Sequence, residues 1–535
     1  MTTLLDILAG RAAGRERAEP ALHIAAGGGW MTWTWADTWS HVQRAAAGLS
    51  AAGIRRDDHL VVLAVNSEQS VRAILGAWAL GAVVTPVGVP LRADDIAACV
   101  RHVEDSAAIV DAMAIVAPRA AAALAGGITR RVLIAEDLDG DPAGERAPDG
   151  AELALVQLTS GTTGRARGVM VSHDRLACHL AAMQRALPLA EGAVGLSWLP
   201  LFHDMGLIGG LLFPLFCGFE LRLSSPLAFR QNPFGWLENL SRFRVTITPA
   251  PPSVWGLCRT LAPRAVERGL DLSGLDCALV GAEPISAAVL EELATALAPC
   301  GFAPEAFFPV YGLAEATLAV SFPRLRAART FDAVSLDALG RGRAEPARDR
   351  EPAATFVGVG RPLEGTALRI AGEGGAPLPE RQIGHIEIAS RHAMLGYRGE
   401  PPPPAWISTG DLGYLADGEL FVTGRAREII IRAGVNLVPG HIEEVASRVD
   451  GVRAGCIAAV GVWSDRLATE LAWVVAETRR PPDQHAALAR AIRDALGAHG
   501  VPIDEVRLVP PGALPRTTSG KLVRARVPAL VGAAA

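Results

Sequence analysis

Short β-branched runs, each followed by a helical pattern, recur through roughly the first 320 residues. "HLVVLAV" (59–65) reads as a buried strand, and "SVRAILGAWALGA" (70–82) as an apolar helix. "AAIVDA", "RRVLIAED", "RVTITPAP" and "CALVGAEP" repeat the strand-then-turn signal. A chain with this grammar pairs its strands into sheets and covers them with helices. From Phe356 to Val422 the pattern changes to short strands and turns ("TALRIAGEGGAPL", "GHIEIAS", "GELFVTG"), a β-rich region. The Arg-, Ala- and Pro-rich stretch of about 321–355 has weak periodicity and reads as an insertion. "PPPP" (401–404) is a rigid spacer. After Gly424 the pattern is α+β, ending in "VGAAA", a tail expected to fray. The expected fold class is α/β. Residues 1–424 form a large N-terminal domain of helix-covered sheets, with a β-rich subdomain over about 356–424. Residues 425–535 form a small α+β C-terminal domain, divided off near Gly424–Arg427.

Composition narrows the function. A chain of 535 residues is too long for one core. Half of it is hydrophobic and 20% charged, as in globular proteins. The net charge of −5, without a basic stripe, argues against nucleic acid as partner. The longest apolar run, "MGLIGGLLFPLFCGF", is too short and too rich in Gly and Pro to span a bilayer, so no stable membrane insertion is expected. The N-terminus lacks the continuous apolar core of a signal peptide. Seven dispersed cysteines without a CxxC pair read as reduced thiols in a cytoplasmic protein. Heavy use of Ala, Arg, Gly and Pro points to a GC-rich bacterial genome.

"LTSGTTGRARGVMVSH" (158–173) concentrates hydroxyls, glycines and positive charge directly after the apolar run "LALVQL". Backbone N–H groups and hydroxyls in such a loop can cradle phosphate oxygens. The order GxxxxGK[ST] is absent, so this is no Walker loop, and a plain surface turn is the alternative. Four further motifs follow in order: "VGAEPIS" (280–286), "PVYGLAEAT" (309–317), "STGDLGYLADGELFVTGRAREIIIRAGVNLVPGHIEEV" (408–445) and "PRTTSGKLVR" (515–524). Together, over roughly residues 30–527, the set resembles the acyl-adenylate-forming superfamily. "HDMGLIGG", "YGLAEATLAV" and the 321–355 insertion look most like fatty acyl-AMP ligases and the acyl-CoA synthetases nearest them.

The resemblance implies attack of an apolar carboxylic acid on the α-phosphorus of ATP, release of pyrophosphate, and transfer of the acyl group to a thiol. The thiol would be CoA, or phosphopantetheine on an acyl carrier protein. Thr159, Ser160, Gly161, Thr162, Thr163 and Gly164 would hold phosphates. The family's Pro-Lys-Gly ending is here Ala166-Arg167-Gly168, so Arg167 would supply the charge as a planar fork. Glu315 would bind Mg2+. Tyr311, Gly312, Leu313 and Ala314 would line the adenine site, as would the backbone of Gly281, Ala282 and Glu283. Glu283 is open to a second role, capping the next helix. Asp411 would accept hydrogen bonds from the ribose hydroxyls, and Arg425 would reach ribose or phosphate. Lys521 would be delivered between carboxylate and α-phosphate. His203 would lie near the reacting carboxylate, and Asp204 reads as an N-cap of the apolar run behind it. An amino-acid-activating enzyme, in which Asp204 would pair with the substrate amine, and a non-catalytic relative are the alternatives.

Adenylation and thiol transfer need different groups at one site, so the resemblance implies a mobile C-terminal domain. It would pivot at Arg427, where the family has Lys or Asp, and exchange Lys521 for a face near "RAGVN" (432–436). Arg427→Pro, by fixing φ, should preserve one half-reaction and cripple the other. Single-turnover assays of acyl-AMP formation and of its discharge to a thiol check this; equal loss of both in a folded variant would exclude the pivot at that residue.

Overall fold

The computed structural model describes residues 2–88, 96–121, 124, 126–142, 149–159, 166–453, 455–465, 467, 469–517 and 521–532. The βα grammar produces two seven-stranded sheets among these residues. One runs in the order Phe307–Pro309, Cys277–Val280, Ile247–Ala250, Val194–Ser197, Glu220–Leu223, Pro20–Ala26, Gly29–Thr34. The other runs Gly396–Tyr397, Arg167–Ser172, Leu153–Thr159, Val83–Val87, His59–Leu63, Ala114–Ala117, Val132–Ile134. Their inner strands pair in parallel. Strands covered on both faces read as unbroken apolar runs: all of Val83–Val87 is buried.

Helices Trp35–Ala51 and Glu68–Leu80 pack together, the first against Pro20–Ala26 and Gly29–Thr34 of the first sheet and the second against His59–Leu63 and Val83–Val87 of the second sheet. Trp78 is fully buried there, and its indole N–H donates to the Ala154 carbonyl at 2.6 Å. One apolar core joins both sheets, through Leu22 and Leu221 on one and Leu60 and Leu155 on the other. "AAIVDA" is a correction: residues 107–110 end the helix Ile96–Val110, and the strand is Ala114–Ala117. Cys99, Val103, Ser106, Ala107 and Val110 recur at helical spacing on its buried face, which outweighs the local β-branched pair.

The β-rich region forms the four-stranded antiparallel sheet Thr366–Ala371, Gly384–Ser390, Ile407–Ala416, Glu419–Arg425. Burial alternates along Gly384–Ser390, as expected of a sheet with one covered face. The insertion is ordered. Strands Phe331–Ser335 and Ala353–Val357 pair antiparallel around the short helix Leu336–Gly340, and Val334 and Phe356 share a core with Tyr414 and Phe421. After Arg425 come a hairpin (Ile430–Arg432, Val435–Leu437) and a three-stranded sheet (Ile457–Ser464, Thr469–Glu477, Glu505–Val509). Helices Pro439–Ser447 and His485–Ala498 cover it, the second burying Leu488, Ile492 and Leu496 at four-residue intervals. Residues 533–535 of the tail expected to fray lie outside the described residues.

His173 opens the helix His173–Ala186 beneath Trp78, ring to ring at 5.8 Å in an edge-on contact. Burial pushes its imidazole down to about 4, against the pull of Glu152 and Asp174. The folded protein therefore keeps His173 neutral over a range where the unfolded chain binds a proton. Stability from this group is fully present above the ordinary histidine value and is lost as pH falls towards about 4. At pH ~5 the loss is about 2 kcal/mol. The thermal midpoint should fall between pH 7.5 and 5, and His173→Phe should show a measurably smaller fall by calorimetry.

Candidate functional site

Parallel sheets bind ligands beyond the carboxyl ends of their strands, where the connecting loops diverge. Both large sheets aim such ends at one place. Strand Cys277–Val280 runs into Ala282–Pro284, Phe307–Pro309 into Tyr311, and Val194–Ser197 into the turn bearing His203. Thr159 ends the strand Leu153–Thr159 and faces Arg167 across an antiparallel hairpin. A cavity of about 1530 Å³ lies between these ends and the C-terminal unit.

Asp411 is 8% exposed on the cavity wall. Its carboxylate accepts from the Tyr311 hydroxyl at 2.7 Å and pairs with Arg425 at 3.3 Å, its cross-strand neighbour. Burial pushes its pKa up, against the pull of Arg425 and Tyr311. Gly312, next to Tyr311, is required by close approach: a Cβ there would collide with the Leu318 carbonyl oxygen.

Glu315 sits in the single 3₁₀ turn Ala314–Ala316, half-buried, and accepts from the Tyr397 hydroxyl at 2.7 Å. The Arg167 guanidinium lies over the Tyr397 ring at 3.8 Å and is 3.9 Å from Glu400. Sequence reasoning missed Tyr397. A signal existed: the chain has 14 Phe but only three Tyr, so each retained hydroxyl asks for a reason. All three donate to a carboxylate: Tyr311 to Asp411, Tyr397 to Glu315 and Tyr414 to Asp332.

His203 and Asp204 face each other at 2.7 Å, and Asp204 caps the π-helix Met205–Leu212 by accepting from the Met205 N–H at 2.7 Å. Burial opposes ionisation of Asp204, but His203, the nearby Lys521 ammonium and the Met205 N–H together bring it to about 2. Lys521 lines the same cavity, so the C-terminal segment delivers its cation to the side where His203 stands. Arg524, three residues on, anchors that segment. It pairs with Glu428 at 2.5 Å, beside Arg427, and with Glu443 at 2.7 Å on the helix Pro439–Ser447. The same helix reaches the N-terminal part through Glu444, which accepts from the Ser286 hydroxyl at 2.7 Å.

Not every expected residue lies on the cavity wall. Gly281 does not line it; a Cβ there would press on the Val310 side chain at 2.8 Å. Ala282 takes φ +70°, an uncommon backbone for alanine, and does line it. Glu283 faces the cavity, but its carboxylate caps the preceding helix, Pro252–Glu267, by accepting from the Ser253 N–H at 3.0 Å; Ser286 caps the following one. Leu313, Ala314, Arg425 and the exposed Arg427 are on the wall. Ser160, Gly161, Thr162, Thr163 and Gly164 lie outside the described residues. The hairpin 430–437 rests on the insertion: a Cβ at Gly340 would lie 2.9 Å from the Val435 side chain.

Met183, Leu187, Gly209, Phe213 and Leu221 line the same cavity with apolar surface. Gly209 keeps it open on the π-helix: only the Leu318 side chain, at 3.3 Å, would meet a Cβ there.

Over residues 10–398 the chain matches the family described as AMP-binding enzyme. The chain belongs to that family. A Mycobacterium tuberculosis protein named as a ligase, Rv1013, is 33% identical over 519 residues, 93% of this chain and 94% of its own. JamA of Moorena producens, by name a medium-chain fatty acid–acyl-carrier-protein ligase, is 33% identical over 398 residues, 70% of this chain and 66% of its own. A solved structure from work on the fatty acyl-adenylate ligases of E. coli and L. pneumophila superposes with a TM-score of 0.91 at 28% identity, covering 98% of this chain and 97% of that one. The expectations of an α/β adenylate-forming fold and of an acid–thiol ligase that forms an acyl-adenylate are borne out. In this AMP-binding enzyme the apolar wall beside Gly209 offers space for an acid's tail. Gly209→Leu should abolish pyrophosphate release with long acids while sparing short ones, as measured across a chain-length series.

Proposed function

We propose that this enzyme activates a fatty-acid-like carboxylate in the arrangement described above and passes it to the phosphopantetheine thiol of an acyl carrier protein. One observation carries the reading. A single cavity is lined by the Asp411–Tyr311 pair, Glu315, His203 and Lys521 together with the apolar side chains of Met183, Leu187, Phe213 and Leu221. Asp411 would hold the ribose of ATP, and the Tyr311 hydroxyl fixes its carboxylate for that task. Arg167 and the loop from Thr159 would hold the β and γ phosphates. Lys521 and His203 would orient the acid and stabilise charge as its oxygen attacks the α-phosphorus. The bond to the bridging oxygen breaks and pyrophosphate leaves.

Mg2+, if bound, would neutralise phosphate charge. Among the described residues no group of three acid, His or Cys side chains could hold a metal. The half-buried Glu315 fits an ion that takes its remaining ligands from phosphate and water. In the second half-reaction the thiol sulfur, having lost its proton, attacks the acyl carbon and AMP departs. We take residues 425–535 as the unit that moves between the halves, and the cytoplasm as its compartment; among the described residues no disulfide joins the seven cysteines and no helix is long and apolar enough to cross a membrane.

The amino-acid reading loses its amine partner, because Asp204 is already engaged by His203 and the Met205 N–H. The carrier acceptor draws support from the name JamA bears.

ATP, Mg2+ and a panel of acids, with CoA or a phosphopantetheinylated carrier protein as acceptor, test the reading by pyrophosphate release and thioester formation. Lys521→Ala should slow acyl-AMP formation by ~10²–10³ and leave ATP affinity near that of the wild type. Near-normal pyrophosphate release by that variant would overturn the role of Lys521.

A further inference from the structure

The turn bearing Glu315 is under backbone tension. Thr317, buried, adopts φ +72° and ψ −51°, a strained conformation for a non-glycine residue. Something must hold it, and the segment 392–397 does so from three sides. The Thr317 hydroxyl donates to the His392 carbonyl at 2.5 Å. The Met394 N–H donates to the Glu315 carbonyl at 2.9 Å. The Tyr397 hydroxyl donates to the Glu315 carboxylate.

That segment is fastened in turn to the helix His173–Ala186. The Arg175 guanidinium donates to the carbonyls of Ala393 and Met394. Four residues on, His179 is fully buried, with its Nδ1 2.9 Å from Nδ1 of the equally buried His392. The other nitrogen of His179, Nε2, accepts from the Ala319 N–H at 3.0 Å, just past the strained turn.

Backbone groups fix the protons on both rings. An amide N–H can only donate, so His179 Nε2 is bare and its proton sits on Nδ1. That proton points at His392 Nδ1, which must then be the acceptor. His392 carries its own proton on Nε2, facing the Glu364 carbonyl at 3.2 Å. Both rings are therefore neutral. Burial holds both below the usual histidine range; Arg175, Arg185 and Arg391 add to this at His392, while the Glu364 carbonyl opposes it.

We propose that His179 and His392 are positioning residues for Glu315, an interlocked pair that ties the turn to one helix on both its flanks and so sets where the carboxylate stands. The inference rests on Glu315 being the metal-binding carboxylate. Support of this kind is worth ~10–100-fold in metal affinity.

The test compares His179→Phe and His392→Phe with His179→Gln, which restores an acceptor at the Nε2 position, and His392→Asn, which restores one at Nδ1. ATP affinity is measured by calorimetry in EDTA and in Mg2+, beside the Mg2+ dependence of pyrophosphate release. The Phe variants should keep the EDTA affinity within about twofold, raise the Mg2+ requirement about tenfold and lower kcat without moving KM for the acid. The Gln and Asn variants should recover most of the loss. A wild-type Mg2+ response in His179→Phe, or equal loss of affinity with and without Mg2+, would overturn the proposal.

If the Phe variants do not fold, histidine-labelled wild-type protein decides by nitrogen NMR. The expected result is His179 protonated on Nδ1, His392 protonated on Nε2, and a shift of the pair on adding Mg2+ to the ATP complex; other tautomers or silent rings would overturn the proposal. Glu315→Gln separates the two readings. If it keeps the wild-type Mg2+ response, the metal role of Glu315 fails; if it loses that response while His179→Phe does not, only the positioning role fails.

Discussion

Two anions must meet before this enzyme can work, a carboxylate and a triphosphate, and their repulsion is the constraint to which the architecture answers. Positive charge has to be gathered around them without collapsing onto the protein's own acids. Arg167, Arg425 and Lys521 come from three distant parts of the chain, and each is held in check. Arg167 lies over the Tyr397 ring, Arg425 leans on Asp411, and Lys521 stands near an Asp204 already occupied by His203. The parallel inner strands of the two large sheets supply the wall these cations face, because parallel strands release their loops at one edge.

The acidic groups are held as deliberately as the basic ones. Asp411 and Glu315 each receive a tyrosine hydroxyl, a donor that orients a carboxylate without neutralising it. A lysine in either place would fix the carboxylate more tightly and also cancel its charge. Behind Glu315 the support turns to backbone and imidazole groups, buried beyond the reach of solvent.

The sequence was informative where a single local rule governs. Apolar runs such as "HLVVLAV" and "CALVGAEP" became strands because burial on both faces leaves no other reading. His203, Ala282, Glu283 and Glu315 line one cavity because each follows a strand end, while Asp411 joins them from within the strand Ile407–Ala416. Local reading failed where a longer period decided, as in "AAIVDA", whose Ala107 and Val110 belong to the stripe begun at Cys99. It also failed where a role depends on a distant partner. Glu283 caps a helix some thirty residues before it, Gly281 backs onto Val310, and no spacing rule joins His179 to His392 across 213 positions. The insertion looked shapeless because its strands are held by Tyr414 and Phe421, far along the chain.

The π-helix Met205–Leu212 bears on how such a pocket can change. Its hydrogen bonds span one residue more than those of an α-helix, so it stores an extra residue against the cavity wall. Deleting one residue would let the segment relax into an α-helix and change which of its side chains face the cavity. A change of chain-length preference then needs no series of substitutions inside the core. A single codon lost from "MGLIGGLL" would redraw the tunnel, and one regained would restore it, with Asp204 still capping the start.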